Sequence, residues 1–201
     1  MRSESFWLIA PYAAWMALMM CLPSAPWAYS VRTAVTLVLL AVAFFNVKRE
    51  EIRPPFVFGS SLVGAIAFGF VIGCVVYAFW IRLDQFDWYR KFCVIGDPYA
   101  HAKALPLDSA FTWIQLFGSA CVISVAEELF FRKWLIRYAG FGWMVALFAI
   151  EHNRPVAAAI CGVLYGMLYQ KKGLLAAIVA HATTNLGLGF FVIQYNRWEF
   201  W

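Results

Sequence analysis

Charge is scarce in this chain: Asp, Glu, Lys and Arg together make up 13% of its 201 residues, against 64% apolar and 19% aromatic residues. An ordinary soluble domain carries about 25% charged residues, so that class is excluded and the bilayer is the expected solvent. The five cysteines (Cys21, Cys74, Cys93, Cys121 and Cys161) are odd in number and form no CxxC pair. They read as small thiols within apolar segments, not as a disulfide or zinc framework. No internal repeat, low-complexity tract or flexible linker interrupts the chain, so residues 1–201 are expected to form a single integral membrane domain. The first apolar run follows a nearly neutral start and precedes no clean small-x-small cleavage site, which predicts a retained anchor and not a removed signal peptide.

Lys and Arg exceed Asp and Glu by 16 to 11. The basic residues lie at the ends of apolar runs, where they meet headgroups and set orientation, so nucleic acid is not an expected partner. With the N-terminus cytoplasmic, Lys48/Arg49/Arg53, Lys133/Arg137 and Lys171/Lys172 fall on the side that the positive-inside bias prefers. Arg82, Arg90, Lys91 and Lys103 then fall on the opposite side.

A hydrocarbon core of roughly 30 Å needs about 20 apolar residues as helix. Only helices or closed barrels satisfy the backbone there. The apolar runs predict helices near 6–22, 29–47, 56–80, 109–137 and 174–195, with shorter apolar pieces at 140–151 and 155–169 that can tilt, pair or be partly re-entrant. The expected fold is thus an all-α, polytopic transmembrane bundle of about six to eight helices around a polar intramembrane cavity. Between the third and fourth spans, RLDQFDWYRKFCVIGDPYAHAKALPLD repeats Phe86, Tyr89 and Phe92 beside Arg82, Arg90 and Lys91. That stretch suits either an interfacial helix or a folded loop with belt aromatics. Asp108 and Ser109 are placed to cap the fourth span.

The functional signal is polar chemistry where lipid should forbid it. SVAEELFFRKWL puts Glu127, Glu128 and Arg132 in a strongly apolar helix, each costing roughly 3 kcal/mol if it faced lipid at the bilayer centre. Glu128 and Arg132 are four apart and can pair on one helical face, whereas Glu127 points about 100° away and is left free. FAIEHNR adds His152 with Phe148 one turn earlier, and AHATTNLGL adds His181 and Asn185 on one face. Acid, imidazoles and amide can then share one cavity and support water-mediated acyl transfer, with a base for water and donors for an oxyanion. Each group alone has a plainer reading: a stapling ion pair, an interfacial histidine, or interhelical hydrogen-bond glue.

EELFFR, FAIEH and HATTN fit, in order, the EExxxR, FxxxH and HxxxN motifs, and the chain so resembles the CAAX prenyl protease and bacteriocin-processing family of intramembrane peptidases, related to the type II CAAX endopeptidases. The stretch from about Ser109 to the end, including the aromatic NRWEFW, is similar to a bacterial CAAX protease-related branch associated with the exosortase and PEP-CTERM sorting system. The resemblance implies a catalytic core at 109–195 that hydrolyses a peptide bond of a membrane-anchored substrate, in the bacterial inner membrane. It implies Glu127 as the base that activates water, assisted by His152. It also implies a Glu128–Arg132 pair that shapes the site or binds substrate, and His181 and Asn185 as oxyanion donors; Phe148 is expected to pack. No cofactor is implied, but Glu127, His152 and His181 also suffice as three ligands of a catalytic zinc, even though HExxH is absent. The rivals from other classes are a non-catalytic scaffold, immunity or sorting-helper protein, and a proton-coupled carrier. Few spans and no repeat count against the carrier.

Overall fold

A computed structural model describes residues 2–47, 61–96 and 109–200 of the chain, residues 2–4 by backbone alone. The described residues form eight helices and no strand: α1 (Arg2–Cys21), α2 (Pro26–Asn46), α3 (Leu62–Leu83), α4 (Asp87–Cys93), α5 (Ala110–Ala139), α6 (Phe141–Ile150), α7 (Pro155–Lys172) and α8 (Leu174–Tyr195). A short 3₁₀ turn, Trp198–Phe200, follows. The expected all-α polytopic bundle is the fold found. Four helices, α2, α3, α5 and α8, are long and apolar enough to cross a membrane, and large apolar side chains such as Phe45, Val63 and Phe70 cover the outer faces of α2 and α3.

Local chemistry explains the boundaries. Pro26 and Pro155 occupy the first turns of α2 and α7, where a missing N–H costs nothing. Ser61 accepts a hydrogen bond from the Gly64 amide at 3.0 Å, and Ser109 one from the Phe111 amide at 3.2 Å. The Asp108 part of the expected cap, the Lys48/Arg49/Arg53 cluster and the start of the third span at 56–60 lie outside the described residues. Gly140 and Gly173, at φ 88° and 87°, turn the chain sharply between α5 and α6 and between α7 and α8. The two shorter apolar pieces become α6 and α7, which pack against each other; α7 extends to Lys172, beyond the expected end at 169. The stretch after α3 contributes the seven-residue α4, on which Tyr89 is fully buried while Phe92 is 74% exposed.

Two features of this bundle position the site. The first is that α5 is not a uniform α-helix: Gly118–Ile123 and Glu128–Leu135 are π-helical. Wider i→i+5 turns of this kind concentrate at functional sites. The second is that α8 packs along α3 with almost no space between backbones. A Cβ added to Gly73 would meet the Ala180 carbonyl oxygen at 2.5 Å and Thr183 Cβ at 2.6 Å; one on Gly69 would meet the Ala176 carbonyl oxygen at 2.6 Å. Small residues let membrane helices approach in this way. Gly73→Leu is therefore expected to force α8 off α3 and destabilise the protein by about 1–3 kcal/mol, read as a lowered unfolding midpoint in detergent. An unchanged midpoint would mean that the two helices are not held this closely.

Candidate active site

The site forms where α5, α8 and the α6–α7 connection converge. Glu128 and Arg132, both 0% exposed at their side chains, sit 3.0 Å apart from Glu128 Oε1 to Arg132 Nη1. The pairing expected from the i, i+4 spacing is present, although it lies in a π-helical segment and not in regular α-helix. Its geometry is that of an ion pair and not of aligned hydrogen bonds. The guanidinium instead lies over ring faces, 4.3 Å from the Phe148 centroid and 5.5 Å from that of Tyr165, an arrangement that favours Arg over Lys. Phe148 is buried and packs, as expected.

His181 joins both glutamates. Its Nδ1 lies 2.8 Å from Glu128 Oε1, and its Nε2 lies 3.7 Å from Glu127 Oε2. A carboxylate only accepts, so the hydrogen at this contact is on Nδ1. The ring stacks on Tyr165 at 5.3 Å between centroids. Tyr165 in turn donates to Thr184 Oγ1 at 2.6 Å, and Thr184 donates to the Gly73 carbonyl at 3.0 Å, which ties the imidazole to the α3–α8 contact. Asn185, one turn on, donates through Nδ2 to the Ser119 carbonyl in the first π-helical segment at 2.9 Å. One of its two amide hydrogens is thereby committed and the other remains.

His152 approaches from the α6–α7 connection. Its Nδ1 donates to the Phe148 carbonyl at 2.7 Å, so the neutral ring keeps its lone pair on Nε2. Burial pushes this imidazole down to about 4, against the opposing effect of that hydrogen bond, and the ring is neutral near pH 7. Glu127, Glu151 and His152 each offer one polar atom within 4.8 Å of the others. A bridging water spans such separations. Glu127 Oε2 is buried without a hydrogen-bond partner among the described residues. That oxygen, of the carboxylate expected to be free, accepts no hydrogen bond and lies 3.7 Å from His181 Nε2.

His152, Tyr165, His181 and Asn185 line a common cavity of about 220 Å³, together with Ser119, Trp80, Arg154 and Phe200. The cavity's far wall is braced by a buried charge network. There Arg154 donates from Nε to Asp84 Oδ1 at 2.9 Å and from Nη1 to the Glu199 carbonyl at 3.0 Å.

One expectation about ligands changes among the described residues. The trio Glu127, His152 and His181 does not form the compact N/O set suited to a metal; Glu151 takes the place of His181. Glu128 engages His181 at Nδ1, while Nε2 stays 3.7 Å from Glu127. Glu151, Tyr12, Tyr165 and Thr184 were not singled out by sequence. Only Glu151 left a signal, an acid directly before His152 in FAIEH; Tyr12, which donates to Glu151 Oε2, comes from 139 residues away.

An all-helical membrane bundle with a carboxylate–imidazole cluster beside an internal cavity defines the general class. More narrowly, residues 109–187 match the family model described as Type II CAAX prenyl endopeptidase Rce1-like. That stretch contains all three motifs, and over it the chain is similar to this protease family, in line with the motif resemblance. No curated protein and no solved structure matches the chain.

Proposed function

We propose that this protein is an intramembrane endopeptidase that cleaves a membrane-anchored peptide or protein with water activated by Glu127. The observation that carries the reading is the Glu127 carboxylate, whose Oε2 accepts no hydrogen bond and lies 3.7 Å from His181 Nε2, with a polar atom of His152 within 4.8 Å. Glu127 takes a proton from water, while the Nε2 lone pair of neutral His152 orients that water. As the water oxygen attacks the scissile carbonyl, the remaining Asn185 amide hydrogen stabilises the oxyanion, joined by Nε2 of His181 when both its ring nitrogens carry hydrogen. Glu128 and Arg132 fix the His181 ring and the polar wall of the site. The setting proposed is a bacterial inner membrane, and the substrate one handled by an exosortase-type sorting system, in keeping with the resemblance of the second half.

The test compares membrane proteins from cells carrying the native chain and its Glu127→Gln form. A protein whose terminus differs between the two supports the reading. Identical termini across a well-covered membrane proteome would defeat it and leave a scaffold as the function. The mechanism uses no metal, so cleavage is expected to persist after exhaustive chelation of the purified protein. Stoichiometric zinc, with activity lost on its removal and regained on its return, would replace the glutamyl mechanism by a zinc one.

A further inference from the structure

Glu151 stands at a variable position of the FxxxH motif, yet its half-buried carboxyl lies against the base. We infer that Glu151 forms a carboxyl pair with Glu127 and supplies the proton that the departing amine requires. This inference rests on the peptidase reading and adds to it the second half of the proton inventory. Among the described residues three groups face Glu151: the Tyr12 hydroxyl from α1, which donates to Oε2; Nδ1 of His152, 3.7 Å from Oε1; and Glu127 from α5. Among the described residues Glu151 has no Lys or Arg ion-pair partner, and Oε1 is buried without a hydrogen-bond partner. Two carboxyls this close, with no cation on one of them, do not both ionise; one proton stays with the pair. Glu127 must be ionised to act as a base, so the proton resides on Glu151. Burial works in the same direction and raises the Glu151 carboxyl to about 9.

The chemistry balances on this assignment. Water gives one proton to the Glu127 carboxylate as its oxygen bonds to the carbonyl carbon. When the C–N bond breaks, the amine nitrogen takes the proton of the Glu151 carboxylic acid. Glu127 is then protonated and Glu151 ionised, and transfer of one proton from the first to the second, across a bridging water, restores the starting pair. Net consumption is one water per peptide bond. Tyr12 holds Glu151 through Oε2 and is a positioning residue for it.

The decisive measurement is infrared spectroscopy of the purified full-length protein, which resolves the C=O stretch of a protonated carboxyl apart from ionised ones. At neutral pH the native protein is expected to show such a band, absent from Glu151→Gln. In Glu127→Gln the same band should remain but titrate at lower pH, because the neighbouring negative charge is gone. On the substrate identified by the Glu127→Gln comparison, Glu151→Gln is expected to slow cleavage about 100-fold. It should also lose the fall in rate above about pH 9 that is expected of the native enzyme. A band unchanged in Glu151→Gln, or a rate and pH profile like the native ones, would overturn the inference. So would zinc bound by the native protein and lost in Glu151→Gln, which would make the trio a metal site. If the peptidase reading itself fails, no terminus differs in Glu127→Gln, whereas the infrared band reports on the carboxyl pair alone. The native protein's own titration serves where a variant folds poorly: a band that persists to about pH 9 supports the pair, and its absence at pH 7 removes it.

Discussion

Glu127→Gln is expected to lower the cleavage rate by about 10³-fold while leaving the protein folded, since loss of a positioned general base typically removes 10²–10⁴ in rate. Glutamine matches glutamate in shape, and Glu127 Oε2 has no hydrogen-bond partner to lose. What disappears is the capacity to accept a proton from water. Stability should change little or rise, because a buried carboxylate oxygen without a hydrogen bond is itself costly in apolar surroundings. The two measurements are accumulation of uncleaved substrate in membranes and the unfolding midpoint in detergent. Retained cleavage with an unchanged midpoint would remove Glu127 from the mechanism. Lost cleavage with a collapsed midpoint would reassign it to the fold.

Arg132→Ala should have the opposite signature, with the fold failing first. Arg132 and Glu128 are both fully buried, and truncating one member of such a pair costs about 3–5 kcal/mol because the other charge stays behind. His181 Nδ1 also contacts Glu128 Oε1 at 2.8 Å and offsets part of that charge, which places the expected loss near the lower end of the range. Loss of packing against Phe148 and Tyr165 adds to it. Arg132→Lys keeps the charge but not the flat stacking surface, and should cost less than the alanine variant. Removing both charges, as in Glu128→Gln with Arg132→Met, should restore much of the stability lost in Arg132→Ala. Unfolding midpoints of Glu128→Gln, Arg132→Met and the double variant give the coupling directly. A coupling near zero would show that the pair is an accident of proximity.

These two outcomes separate roles that the motif EELFFR compresses into six residues. The i, i+4 offset predicted the Glu128–Arg132 pair, and the 100° step predicted a Glu127 outside that pair. Both readings depend only on helical periodicity, so they survive even though α5 turns π-helical at Glu128. Asn185 was legible only in part: its position one turn after His181 placed it on the correct face, but its hydrogen bond to the Ser119 carbonyl is a partnership across 66 residues. The zinc trio went astray for the same reason. Spacing lists residues able to meet, and the competition of Glu128 for His181 is settled only by packing.

Glu151 is the sharpest case. Next to His152 at the end of an apolar piece, it reads as a boundary residue that water would solvate. It is half-buried because the α6–α7 connection folds back toward α5, and because Tyr12 from the far end of the chain donates to it. Similarly, HATTN announces His181 and Asn185 but says nothing of Thr184, whose hydroxyl links Tyr165 to the α3 backbone.

The amino-acid order alone determined that this chain lives in a bilayer, where its helices run, and which acid, imidazole and amide side chains cannot face lipid. Those are one-dimensional properties: hydropathy over a helix length, and angular offset along a helix. Tertiary structure decided which nitrogen of His181 meets which glutamate, and that Glu151 and not His181 stands with Glu127 and His152. Such choices depend on how closely α8 can approach α3 and on where the α6–α7 connection turns inward, quantities set by packing among distant segments.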